Sequence, residues 1–229
     1  MKTVWICGDS WSVPNYEAPV TGYRAKYHTA EILADQGYQV RCHGQPGHGN
    51  NTSVDSMERF LEYADWPDFI VWFHTAIFRD CYSIQQPELM NERMPLVAHD
   101  TYTRYQHIVD RTQAKLVVIE GHAPVYQPLF DQLVKPDWFV ENWRGKILGI
   151  PDLPQSHWYC QSRELATQTS YTQDQIESEI TKLERITPAL HDRPDLFPDQ
   201  SHPGDLAHMQ LALDLIKFIG PAREIYDTH

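Results

Sequence analysis

The sequence predicts an α/β protein: a parallel sheet covered by helices on both faces. Short apolar runs recur along the first 120 residues, apolar positions at helical spacing separate them, and each run stops on polar or glycine punctuation. Parallel strands need a crossover between them, and a sheet covered on both faces needs strands that are apolar throughout. At 229 residues and 41% hydrophobic content, a single domain over 1–229 accounts for the chain.

The first strand is expected at Thr3–Cys7, the second at 38–43, the third at Phe69–His74 and the fourth at Lys115–Glu120, where Leu116, Val117, Val118 and Ile119 run together. Residues 27–36 read as a helix through Ala30, Leu33 and Ala34 before Gly37 stops it. Residues 52–63 read as another, capped by Thr52 or Ser53, with Met57, Phe60 and Leu61 on one face. A longer helix covers roughly 96–112. Beyond 120 the pattern weakens: 121–161 is rich in proline and aromatics, and a fifth strand is expected at 147–150 or 158–160. Residues 172–190 place Ile176, Ile180, Leu183 and Ile186 at helical spacing. A last helix follows Pro203, carrying Leu206, Met209, Leu213, Ile216 and Phe218.

Charge narrows the function. Nineteen Lys and Arg against 31 Asp and Glu leave a net charge of −12, which repels phosphate backbones and anionic lipid, so no nucleic-acid partner is expected. No run approaches the ~20 apolar residues of a membrane span, and the first residues lack the pattern of a secretory leader. Cys7, Cys42, Cys81 and Cys160 are scattered, and the first two lie in strand-like runs where a thiol packs as a small apolar group. Reduced cysteines and a cytoplasmic location are the expectation.

In parallel α/β sheets ligands gather beyond the carboxyl ends of the strands. Ser10, residues 44–51, 74–80 and 121–126 all stand there. Near the other terminus the stretch FPDQSHPGD (197–205) places Asp199 three residues before His202. On a tight turn Asp199 can accept the ring Nδ1–H, which leaves Nε2 as a base. Pro203 also suits a first helical turn, and Asp199 or Ser201 can simply cap it. A base needs a nucleophile, and Ser10 is the hydroxyl at a strand end.

GDSWS after a first strand, with DxxHP before a final helix, resembles the SGNH (GDSL) hydrolase family. The resemblance implies a three-layer α/β/α sandwich with a flavodoxin-like parallel sheet. It also implies Ser10 as nucleophile, His202 as general base and Asp199 as its orienting carboxylate. The family's second block supplies an oxyanion-hole glycine, matched here by Gly47 in GQPGHGN, whose N–H would act beside that of Ser10. The third block departs from the pattern. Where the family has G-x-N-D, this chain reads VWFHTAIFRD, and no asparagine follows the third strand. The Thr75 hydroxyl, a protonated His74 or Asn50 from the neighbouring loop could donate in its place.

Asp9, His74 and Arg79 are candidate substrate-binding residues, Arg79 being equally able to pair with Asp80. Residues 78–95 read as a polar insertion and 124–143 as an aromatic excursion with Tyr126, Phe130, Trp138, Phe139 and Trp143, either of which could wall a site. The expected chemistry is hydrolysis of a small-molecule or carbohydrate ester through an acyl-enzyme, with no cofactor. An O-acyltransferase and a non-catalytic ester- or carbohydrate-binding protein are the alternatives. A nucleotide-binding loop fits poorly, because GQPGHGNN is neither G-x-G-x-x-G nor a Walker loop. A metal hydrolase lacks H-E-x-x-H.

Overall fold

The computed structural model describes residues 1–17, 22–63, 65–75, 77–81, 87–121, 125–149, 193, 195–198 and 202–223, with the backbone alone at 78, 81 and 87–91. Its strands are β1 (Thr3–Cys7), β2 (Gln39–Cys42), β3 (Phe69–His74), β4 (Lys115–Glu120) and β5 (Trp138–Val140). Its helices are α1 (Thr29–Asp35), α2 (Asn50–Phe60), α3 (Pro87–Thr112), α4 (Gln127–Leu133), α5 (Trp143–Leu148) and α6 (Asp205–Ile219).

The five strands form one sheet in the order β2-β1-β3-β4-β5, and every pairing is parallel. Side chains alternate across it, as a strand's period of two requires. Val4, Ile6, Val71, Phe73, Val117 and Ile119 face one layer with residues of α1 and α6. Trp5, Cys7, Ile70, Trp72, Leu116 and Val118 face the other, against α2 and α3. Two apolar cores on opposite faces of one parallel sheet make the chain a three-layer α/β/α sandwich of flavodoxin-like strand order. The sequence direction reverses at β1, which has β2 on one side and β3 on the other. The topological switch point, where such sheets open a crevice, therefore lies between the carboxyl ends of β1 and β3.

The expected strands one to four stand within a residue at each end. The fifth does not: β5 is Trp138–Val140, paired with Val117–Ile119, while Ile147 belongs to α5. The helix expected at 96–112 begins nine residues earlier, so Pro95 lies inside it and the second half of the polar insertion expected over 78–95 is helix. Pro87 opens α3 where a missing N–H costs nothing. The helix expected at 172–190 and the alternative strand at 158–160 lie outside the described residues. Cys7 and Cys42 are free thiols. Among the described residues no helix is long and apolar enough to cross a membrane.

Candidate active site

The end of β1 is built around Gly8. Its φ of +138° is one that side chains rarely adopt, and a Cβ there would lie 2.5 Å from the Phe73 carbonyl oxygen of the adjacent strand. Glycine is required on both grounds. The Gly8 N–H donates to Ser53 Oγ at 2.9 Å, and that hydroxyl donates back to the Gly8 carbonyl at 3.1 Å, tying the strand end to α2. Asp9 then caps a short 3₁₀ turn, Ser10–Ser12: its Oδ1 accepts the Trp11 N–H at 3.0 Å, and Ser12 Oγ donates to its carbonyl at 2.7 Å. Ser10 is thereby presented at the carboxyl edge of the sheet.

His202 meets it there. Its Nε2 lies 3.1 Å from Ser10 Oγ, across 192 residues of sequence. His202 stands three residues before α6, whose first residue is tied to a loop from the first quarter of the chain. Asp205 accepts the N–H groups of Lys26 and Tyr27 at 2.6 and 3.1 Å. The Tyr16 ring stands 4.9 Å from the His202 ring. Behind them lies a pair of histidines, His28 and His208. His28 Nδ1 accepts the Ala30 N–H and caps α1, so its Nε2 carries the hydrogen and donates to the Trp11 carbonyl at 3.1 Å. Burial pushes His28 down to about 4, and burial followed by the proximity of His28 pushes His208 well below the usual range. Both rings are therefore neutral near pH 7. With Ser10, His202, Tyr16 and Tyr23 they line a pocket of about 20 Å³, room for one water-sized group.

The loops after β2 and β3 complete the surroundings. Gly47 has φ +74° and nothing within 4 Å of where a Cβ would be, so its backbone faces open space. Gly44 and Gly49, which sequence reasoning passed over, are required by close approach: a Cβ on the first would lie 1.8 Å from Ser12 Oγ, and on the second 2.0 Å from Asp80 Oδ1. Asp80 is the cap of α2, in place of the expected Thr52 or Ser53. Its carboxylate accepts the N–H of Asn50 at 3.0 Å and of Asn51 at 2.9 Å. Burial raises its pKa, against those hydrogen bonds and the neighbouring Arg79. Asn50 is fully buried and grips Thr75 from both sides. Its Oδ1 accepts the Thr75 N–H at 3.1 Å and the Trp72 indole N–H at 3.0 Å, while its Nδ2 donates to the Thr75 carbonyl at 2.8 Å. Both ends of the Asn50 amide are thus committed to the protein.

The remaining candidates divide. The Thr75 hydroxyl is buried and has no hydrogen-bond partner among the described residues. It stands three positions beyond Trp72 on β3, as Ser10 stands three beyond Cys7, and those two residues are partners in the register. His74 points instead to the α3 side. Its Nε2 is 3.1 Å from the Tyr102 hydroxyl, which also accepts the Tyr126 N–H at 2.7 Å. Arg79 is engaged with Asp9 at 2.8 Å. Asp199 lies outside the described residues. Phe130 and Trp143 of the aromatic excursion are core, Phe130 against Tyr102 and Trp143 against Trp11. A larger concavity of about 630 Å³, lined by Trp138, Trp143, Ile147 and Leu206 among others, includes neither Ser10 nor His202. Among the described residues no group of three or more His, Cys, Asp or Glu could hold a metal ion.

No family model matches the chain, and no curated protein does. Solved structures resemble it distantly. TesA is 14% identical with a TM-score of 0.43, covering 83% of this chain and 99% of its own. A catalytic mutant of Axe2, an acetylxylan esterase from Geobacillus stearothermophilus, is 14% identical with a TM-score of 0.43, covering 100% and 97%. An alpha/beta hydrolase enzyme from the metagenome of Lake Arreo, Spain, is 15% identical with a TM-score of 0.44, covering 97% of each chain.

Proposed function

We propose that this chain is a serine ester hydrolase of the SGNH type, with Ser10 as nucleophile, His202 as general base and Asp199 as the residue that orients His202. The observation that carries the reading is the 3.1 Å approach of His202 Nε2 to Ser10 Oγ at the carboxyl end of β1. A nucleophile within hydrogen-bond reach of a base, at the switch point of a parallel sheet, is what acyl transfer needs. The assignment of Asp199 rests on its spacing from His202.

Ser10 Oγ attacks the ester carbonyl as His202 takes its proton. The oxyanion is received by the N–H groups of Ser10 and Gly47 and by the Thr75 hydroxyl. The open space around Gly47 and the burial of Thr75 Oγ1, which has no hydrogen-bond partner among the described residues, support those roles. Each well-aimed donor is worth about 2.7–4 kcal/mol in the transition state. The His202 imidazolium protonates the leaving alcohol, and water then repeats the attack on the acyl-enzyme. Substrates are small-molecule or carbohydrate esters.

Hydrolysis of p-nitrophenyl acetate, butyrate and octanoate tests the reading. Wild type is expected to turn over at least one of them, with Ser10→Ala and His202→Ala each about 10³-fold slower or worse. Asp199→Ala should lose about tenfold or more. Turnover of all three esters at the wild-type rate in folded Ser10→Ala contradicts the proposal.

A further inference from the structure

We infer that Arg79 is a positioning residue for Ser10, acting through Asp9 rather than on the substrate; the inference rests on the serine hydrolase reading above. The carboxylate of Asp9 is 2% exposed and immediately precedes the nucleophile. Its two oxygens have separate tasks. Oδ1 accepts the Trp11 N–H and forms the turn that carries Ser10, while Oδ2 accepts Arg79 Nη1–H at 2.8 Å. A carboxylate removed from water needs a paired charge, and a charge-assisted hydrogen bond also fixes the plane of its carboxyl group. Arg79 thus sets the orientation from which Oδ1 holds the Ser10 turn.

The same short turn after β3, Ile77–Cys81, also carries Asp80, whose carboxylate caps α2 at Asn50 and Asn51, and Asn50 in turn holds the Thr75 backbone. Two consecutive residues therefore register the nucleophile loop and the end of β3 against each other. Among the described residues an ion pair, Arg79 with Asp9, joins the turn after β3 to the serine loop. A displacement of the nucleophile by about 1 Å costs on the order of a hundredfold in rate.

The test is the rate at which a fluorophosphonate probe labels Ser10, measured beside thermal melting for wild type, Arg79→Ala, Asp9→Asn and the double variant. Asp9→Asn keeps the acceptor for Trp11 and removes the charge that Arg79 pairs with. The expected result is labelling about a hundredfold slower in each single variant, with the double variant no slower than either, since both changes break one interaction. Free guanidinium, far below denaturing concentrations, should restore part of the rate to Arg79→Ala. If Arg79→Ala leaves Asp9 too costly to bury and does not fold, Asp9→Asn against the double variant decides the matter. Equal rates support the inference, and a further loss in the double variant overturns it. Labelling of Arg79→Ala at the wild-type rate overturns it as well. A wild type that never labels removes the serine hydrolase reading and the positioning role together, an outcome distinct from the others.

Discussion

His28 makes stability depend on acidity in a direction the structure dictates. Its ring is 2% exposed, caps α1 through Nδ1 and donates from Nε2 to Trp11, an arrangement that only the neutral ring satisfies. Burial lowers its pKa from 6.5 to about 4. The folded state therefore refuses a proton that the unfolded chain accepts below about pH 6.5. The histidine's contribution is complete above that pH, falls as the pH drops, and is exhausted once the pH passes about 4. At 1.36 kcal/mol per pK unit the whole displacement is worth about 3 kcal/mol, of which about 2 kcal/mol is lost between pH 7.5 and 5. His43, also lowered to about 4 by burial and then by Arg41, and His208 push in the same direction. The comparison that isolates His28 is urea unfolding of wild type and His28→Asn across that range. Asparagine keeps a cap acceptor and removes the titration. Wild type should lose about 2 kcal/mol more than the variant on going to pH 5. A difference between the two proteins that stays flat from pH 7.5 to 5 refutes the reasoning.

Other consequences concern the loops around Ser10. Gly8→Ala combines a disfavoured φ with a 2.5 Å clash against backbone, and is expected to cost about 3–5 kcal/mol in denaturant unfolding and to lose esterase activity. Asn50→Ala strands the Trp72 indole N–H and both backbone groups of Thr75, so a loss of about 3–5 kcal/mol is expected by the same assay. Thr75→Val removes a buried hydroxyl that has no partner among the described residues. Stability should be unchanged or slightly higher, while kcat falls about 10²-fold with KM unchanged. A Thr75→Val variant that keeps its kcat would show that the hydroxyl takes no part in the chemistry.

What could be read from sequence followed from periodicity and punctuation. Strands apolar on both faces, such as Lys115–Glu120, announce themselves because no polar alternation interrupts them. The serine and histidine were visible because each sits in a short motif at a strand or helix end. Other features were not visible, among them β5, the first turns of α3 and the cap of α2. β5 is only Trp138-Phe139-Val140 within an aromatic stretch, too short to show a period. The part of α3 before residue 96 was missed because Pro95 reads as a stop, although the helix, anchored by the packing of Ala98, Tyr102, Tyr105 and Ile108, runs across it. The cap of α2 comes from Asp80, thirty residues downstream of Asn50, and such a contact leaves no trace in local spacing. Asn50 was among the residues the sequence offered at the end of β3; it reaches there from α2, and its amide is taken up by the Thr75 backbone and the Trp72 indole.

Activation of Ser10 as a nucleophile is tested by mapping where a fluorophosphonate attaches. Digestion and mass spectrometry of the labelled protein should place the adduct on Ser10, with none on the other serines and none on any residue of folded His202→Ala. An adduct on another serine, or equal labelling of Ser10 when His202 is absent, would contradict the account.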